Sequence, residues 1–424
     1  MKTVYQMKGY TLHLIPTKKF KTTTISLRLQ SPLQKETTTL RTLLTFVLIA
    51  ATKKYPSTKE IASYLDENYG ARLSTHVSTK GKSQIINVNT SFVNDVFLPK
   101  KENLLEKQIE LLHDLFYDPF VVNESFDDMI VSLKKKELKE RLQANKDDKF
   151  SYSLDKLFEY MGHQQTLGIP STGYEKEIDK ITYHQLFHYL NQCIQEDEKH
   201  VYVVGNINES IVQLFDKYLE FPQNKHDFDT AYTFLSNRTD VLEIIEKQDI
   251  TQSKLNLGYR INCDFRSPQH YAMTVFNALF GGFSQSRLFK VVREENSLCY
   301  YVSSSYDAFN GIMIVNAGIE ANDYHKTLDL IQQQLTAIQN GELQDEYIQI
   351  AKKMLQNALR KTNDEAGSMI ALAYNRDITH KQETNDEYIQ KLLNVSKEEI
   401  VAVASQVRLD TIFFLTGKDF NGKD

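Results

Sequence analysis

Two stretches of this chain are punctuated alike at nearly the same interval, and that internal echo limits the fold more than any other feature. Thr182-Tyr183-His184-Gln185 and Ser396-Lys397-Glu398-Glu399 both read as helix-opening boxes and lie 214 residues apart. In such a box a hydroxyl accepts from the N–H three residues on, and the Glu or Gln there reaches back. Each is followed by an apolar run that closes at a glycine, Gly205 or Gly417, 212 residues apart. Agreement within two residues is hard to obtain from unrelated segments. The chain therefore reads as one fold of about 200 residues used twice, an ordinary domain size.

The elements between those markers repeat as well. In the first half, strands are expected around 10–15 and 23–29, then a helix over 38–53. A box at Ser57-Thr58-Lys59-Glu60 opens a second helix that stops at Gly70, a residue that tolerates left-handed backbone. Strands over 72–78 and 84–92 form a hairpin through Lys80-Gly81-Lys82, and helices follow at 104–115 and from Asn123 to about Asn145, with more to Ile194. The second half predicts a strand at 255–259, helices at 270–280 and 286–294, a hairpin around Asn310-Gly311, and long helices at 323–339 and 344–361. Helices in runs between strands give an α+β class. The expected architecture is two tandem homologous domains, each an antiparallel sheet with helices packed mainly on one face. The first repeat spans 1–222, a polar linker spans 223–240 with Asn224-Lys225-His226-Asp227 as its most loop-like part, and the second repeat spans 241–424.

Charge and cysteine content narrow the function. With 50 Lys+Arg against 55 Asp+Glu, a formal charge of −5 and pI near 6.2, the chain lacks the basic stripe of a nucleic-acid binder. Its densest basic run, from Lys134 to Arg141, is interleaved with acids and reads as a solvated helix face. The three cysteines have no C-x-x-C spacing, which fits neither a zinc finger nor a disulfide framework. The longest apolar run, Phe46 to Ala51, is far too short to span a bilayer, so a cytoplasmic protein without membrane contact is expected.

The stretch from Ser284 to Ser305, SQSRLFKVVREENSLCYYVSSS, carries the most chemistry. Leu288, Phe289, Val291 and Val292 fall at helical spacing, Asn296-Ser297 reads as a turn, and Leu298 to Val302 is β-prone. Arg293 then sits in the last helical turn, where a cation meets the negative end of the helix dipole, and Tyr300 stands on the strand. A guanidinium and a phenol at one junction can grip a peptide carbonyl or an oxyanion. On spacing alone a plainer reading stands beside it, a helix-end charge and a half-buried strand aromatic.

Gly281, Gly282, Ser286, Arg287 and Leu288, followed by Arg293, Leu298 and Tyr300, resemble the second-domain signature of the pitrilysin/insulinase-type zinc peptidases. The resemblance extends over the whole tandem α+β chain. It implies that Arg293 and Tyr300 contact substrate backbone and the oxyanion, with Gly281 and Gly282 in the substrate-binding segment. Cys299 departs from the small residue expected before the tyrosine. Active members carry H-x-x-E-H on the first helix, two imidazoles on zinc and a carboxylate base. Thr52-Lys53-Lys54-Tyr55-Pro56-Ser57 is similar to the segment just after that motif in such enzymes, and this register places the motif on Thr42-Leu43-Leu44-Thr45-Phe46. Thr42 and Phe46 replace the imidazoles and Thr45 the base, so no metal and no cofactor is expected in this chain. Asp127 and Asp128 are the acids nearest the point where the family has its third ligand. His184 and His188, four apart, have Gln185 where a zinc helix needs glutamate, and read as packing or surface residues, as His163 reads as a loop residue.

Similarity to half-length members implies a heterodimer in which a homologous zinc-bearing subunit supplies the ion and this chain supplies Arg293 and Tyr300. A peptide or unfolded protein is then the substrate, and the chain alone is expected to be inactive; whether the isolated chain pairs with itself as a homodimer is left open by the sequence. The competing expectation is a non-enzymatic peptide- or protein-binding scaffold, in line with the link between similar bacterial chains and modification of a translation elongation factor. The strand at 84–92 is expected to be a long edge strand able to accept an extended peptide.

Overall fold

The structure is a computed structural model that describes residues 2–223, 229–230, 232, 234–236, 238–418 and 420. Asn224 to Asp227, the expected heart of the linker, lie outside the described residues. Strands β1 (Thr3–Met7), β2 (Tyr10–Pro16), β3 (Thr22–Pro32), β4 (Arg72–Lys80) and β5 (Ser83–Val93) precede a two-residue hairpin, β6 (Val121–Val122) with β7 (Ser125–Phe126). After β8 (Glu198–Gly205) come β9 (Leu242–Gln248), β10 (Ser253–Arg260), β11 (Cys299–Asp307), β12 (Ile312–Ile319) and β13 (Arg408–Gly417).

The sheet orders are β1-β2-β8-β3-β5-β4 and β11-β12-β10-β13-β9. From its other end, the second is β9-β13-β10-β12-β11, the arrangement of β2-β8-β3-β5-β4, so the repeat seen in the sequence is a repeat of topology. Each sheet is antiparallel except for one parallel pair, β2 with β8 and β9 with β13. Strands β1 and β9 add to those the sequence predicts. Their burial alternates between exposed and half-buried, and their polar sequences TVYQM and LEIIEKQ give no apolar run to read.

The chain divides into two compact units. One holds Met1–Ala144, Pro170–Asp229 and Asn363–Asn375; the other holds Asn145–Ile169, Thr230–Thr362 and Arg376–Asp424. Each unit thus takes a segment from the opposite half of the sequence. In the first, Leu27, Leu29, Val88, Val201 and Val203 on the sheet pack against Leu43, Leu44 and Val47 of the helix Lys35–Leu48. Each such side chain contributes about 1.5–3 kcal/mol on burial. The other face of that sheet is polar. Arg28 lies 4.4 Å from the ring of Tyr374, whose hydroxyl donates to Gln30, while His13 stacks on Tyr202 and bonds His200 at 3.1 Å.

In the second unit Leu255, Leu257, Val315 and Ala317 pack against Met273, Phe276 and Ile331. Its other face is apolar: Ile312, Ile314, Phe413 and Leu415 meet Leu157 and Met161 of the helix Lys149–Met161. Gly258 makes this possible, since a Cβ there would stand 2.6 Å from the Met161 sulfur. Strand β12 is buried along its whole length, as a strand covered on both faces must be.

The helix ends follow the sequence in part. Ser57 accepts from Glu60 N–H and Thr182 from Gln185 N–H, and Ser396 with Glu399 forms the reciprocal box. The first helix stops at Leu48 and not at 53, because the chain turns away to pair with 118–120: Lys53 N–H donates to Asp118 C=O at 2.7 Å and Thr52 bridges Pro119. The expectation of an edge strand at 84–92 is corrected. β5 is bonded to β3 on one side and β4 on the other, and β4 is the edge.

Candidate functional site

The junction carrying Arg293 and Tyr300 is built from a helical segment, one left-handed residue and an irregular strand. The segment Phe289–Glu295 has wide, π-type turns in place of the expected α-helical ones, and Arg293 occupies its last turn. Asn296 closes the end by donating its side-chain N–H to Val291 C=O at 2.9 Å. Ser297 then takes φ +54°, sparsely populated for a residue with a Cβ, which reverses the chain within one residue. Wide helical turns and left-handed residues both concentrate at functional sites.

Strand β11 begins at Cys299. Its pairing with β12 runs Cys299 to Ile319 and then Tyr301 to Gly318, so Tyr300 is the extra residue of a β-bulge on an edge strand. A bulge kinks the strand and re-aims a side chain. Tyr300 is 66% exposed, unusual for so large a ring, whereas its neighbour Tyr301 packs over Gly318 and beside Phe150. Arg293 is exposed too. Its guanidinium lies 4.7 Å from the Phe289 ring, a contact worth about 0.5–1 kcal/mol, and no carboxylate pairs with it among the described residues. Cys299, half-buried between the two, has its thiol pushed up to about 11 by burial, with Arg293 pulling weakly the other way. It is a packing thiol and not a thiolate nucleophile. Gly281 is buried, and a Cβ there would meet Ser304 N at 2.7 Å, so this glycine lets the preceding helix approach β11; Gly282 is exposed.

The first-helix positions present the opposite picture. Thr42 and Thr45 are buried, with hydroxyls donating to Thr38 C=O at 3.0 Å and Thr42 C=O at 2.7 Å. Phe46 packs half-buried on the core, and the Arg141 guanidinium lies 5.7 Å from its ring. Close by, His76 on β4 is held below the usual histidine range, first by desolvation and then by the Arg28 and Arg141 charges. Hydroxyls already bonded to carbonyls, a phenyl ring and a positive surrounding field do not fit zinc. Arg41, the residue before Thr42, is fully buried and bonds Asp197 at 2.8 Å and Leu29 C=O at 2.9 Å, pinning the helix to the sheet.

The other residues singled out in the sequence do not complete a metal centre. Asp127 accepts from Ile130 N–H at 2.9 Å as a helix cap, and Asp128 is exposed. The inward positions of that helix are Val131, Lys134, Leu138 and Leu142, with Lys134 bonded to Glu137. His184, His188 and His163 are exposed. Among the described residues, the cluster of His and acids at metal-ligand separations is His113, Asp114 and Asp118, which includes none of the first-helix positions. Cys193 and Cys263 are buried and free. The bulge at Tyr300 and the Phe289 support of Arg293 had no signal in the sequence beyond the aromatic four residues before the arginine.

A family model described as "Peptidase M16 inactive domain" matches residues 180–355. The "Probable inactive metalloprotease YmfF" of Bacillus subtilis (strain 168) is 33% identical over 416 residues, 97% of this chain and 96% of that protein. The crystal structure of a conserved protein from Enterococcus faecalis V583 matches with a TM-score of 0.91 and 32% identity, covering 99% of both chains. A protease from Helicobacter pylori, 14% identical with a TM-score of 0.80 over 98% of this chain and 99% of its own, shares the fold. A relative this similar over nearly its full length settles what the Arg293 and Tyr300 stretch suggested: the chain belongs to the M16, pitrilysin/insulinase-type, peptidase family, and its sequence contains no H-x-x-E-H.

Proposed function

We propose that this chain is the zinc-lacking subunit of a two-chain peptidase. It holds the peptide and the developing oxyanion with Arg293 and Tyr300, while a homologous zinc-bearing partner supplies the hydrolytic ion. One observation carries the reading: Arg293 and Tyr300 stand exposed on an irregular junction and serve no evident packing need, in a chain whose own ligand positions are packed shut. The names borne by the relatives, inactive metalloprotease and inactive domain, support a chain that does not cleave peptides alone.

The chemistry is that of donors waiting for charge. The Arg293 fork and the Tyr300 hydroxyl each donate to a peptide carbonyl, and these bonds strengthen as attack turns that oxygen into an oxyanion. Removing one such donor raises the barrier by about 2.7–4 kcal/mol. Arg293→Ala in the assembled pair is therefore expected to lower kcat at least about a hundredfold, measured on a quenched peptide. Full activity of the mutant pair would refute the assignment. A non-enzymatic scaffold gives a different result in the same assay, stable peptide binding with no cleavage in any mixture.

A further inference from the structure

We infer that a cavity on the second unit binds the C-terminal carboxylate of a peptide whose last side chain is apolar. The cavity has a volume of about 460 Å³ and lies between the segment that leads into Arg293, the turn at 341–344 and the start of the helix Asp345–Lys361. That volume is within the range of small-ligand sites.

Its donors converge. Arg287 donates through Nε to Gln334 at 3.1 Å and through an Nη to Glu342 C=O, which fixes the guanidinium and leaves the other terminal nitrogen available. Lys290 donates to the Tyr347 hydroxyl at 2.8 Å. Both cations are bonded to neutral oxygens, and among the described residues neither forms an ion pair. Gln344, the residue before the helix, lines the cavity and makes no side-chain cap, while Asp345 and Glu346 stand in the helix's first turn and offset its positive end, so the Arg287 and Lys290 cations supply the attraction for an anion.

The remaining lining selects the kind of anion. Glu295 and Glu342 also border the cavity, which disfavours a dianion such as phosphate and suits a single negative charge. One carboxylate oxygen can accept from the free terminal nitrogen of Arg287 and the other from Lys290, whose ammonium keeps donors beyond the one given to Tyr347. Leu279, Val291 and Leu343 form an apolar floor beside the cations, where a side chain attached next to that carboxylate would rest. A peptide end satisfies all three conditions. The proposed subunit role enters only in what such a peptide is for: an anchored end would hold the peptide on the same unit that carries Arg293 and Tyr300.

The test uses the whole chain alone and reads fluorescence anisotropy of an N-terminally labelled hexapeptide. The peptide is made ending in leucine as the free acid, in leucine as the amide, and in glycine as the free acid. Hydrogen bonds to a charged group predict roughly tenfold tighter binding of the acid over the amide. Leucine should bind more tightly than glycine, and inorganic phosphate at equal concentration should not displace the peptide. Lys290 is exposed, so Lys290→Gln should fold normally and erase most of the acid preference, with Arg287→Gln as a second variant. Equal binding of acid and amide, a preference unchanged in both variants, or ready displacement by phosphate would overturn the inference. Because no partner or turnover is involved, such a failure leaves the Arg293 assignment standing. A failure of Arg293→Ala to affect the assembled enzyme would likewise leave this binding untouched.

Discussion

Five strands in each half of this chain share one order, and the residues singled out in the sequence are treated in opposite ways in the two halves. On the first helix, Thr42 and Thr45 have turned their hydroxyls onto the helix's own carbonyls and Phe46 has joined the core. At the β11 edge of the second sheet, Arg293 and Tyr300 are left in the open, on a bulge and beside a left-handed serine. The first-helix set is taken up by packing and by the helix's own hydrogen bonds. Arg293 and Tyr300 are residues the core does not use. The outer sheet faces differ in the same spirit, polar and ring-stacked around Tyr374 in one unit, apolar around Met161 in the other.

The largest effect should come from breaking the buried pair in the first unit. Asp197→Ala strands the Arg41 guanidinium in the interior and is expected to destabilise the chain by roughly 3–5 kcal/mol, read from urea unfolding. Replacing Arg41 by methionine in the same chain should restore much of that loss, since an apolar pair leaves no buried charge. A small loss in the single mutant would mean the first helix is not held as described.

Next in size is a pH effect in the second unit. His270, bonded between the hydroxyls of Tyr306 and Tyr388, has its pKa lowered to about 4, chiefly by burial and then by Lys381, against the nearby acids Glu383 and Asp264. The unfolded chain therefore binds this proton more readily. The stability contribution is present above about pH 6.5 and is lost as pH falls toward 4, up to roughly 3 kcal/mol. His270→Gln, which cannot take the proton, should flatten the fall in unfolding midpoint between these values; an unchanged slope would assign it to other groups.

Smaller still, Thr45→Val removes one buried hydroxyl bond and should lower stability by about 1 kcal/mol. Arg293→Ala should change it by less than about 0.5 kcal/mol, as expected for an exposed side chain. If Arg293→Ala proved as destabilising as Asp197→Ala, the contrast between a packed site and a displayed one would fail.

Much of this was legible in the sequence, for local reasons. Thr182, Ser396, Gly205 and Gly417 announce the repeat because caps and strand ends depend on a few neighbouring residues. The helix under Arg293 and the strand under Tyr300 follow from spacing. The bulge does not, because it exists only in the register of β11 against Gly318 and Ile319. Nor could the sequence place 145–169 and 363–375 in the opposite units, since an amphipathic helix states that it needs an apolar face and not which one. The charges of β9 hide a parallel strand, and β5 reads as an edge because alternation does not reveal how many neighbours a strand has.

The central claim is a division of labour between this chain and a zinc-bearing relative. Its most direct test monitors hydrolysis of a quenched peptide, with metal content measured in parallel, by the pure chain, by an H-x-x-E-H homologue and by their mixture, each with and without chelator. The account predicts chelator-sensitive cleavage that rises sharply in the mixture and no cleavage by this chain alone. Chelator-sensitive cleavage by the lone chain carrying stoichiometric zinc would contradict it.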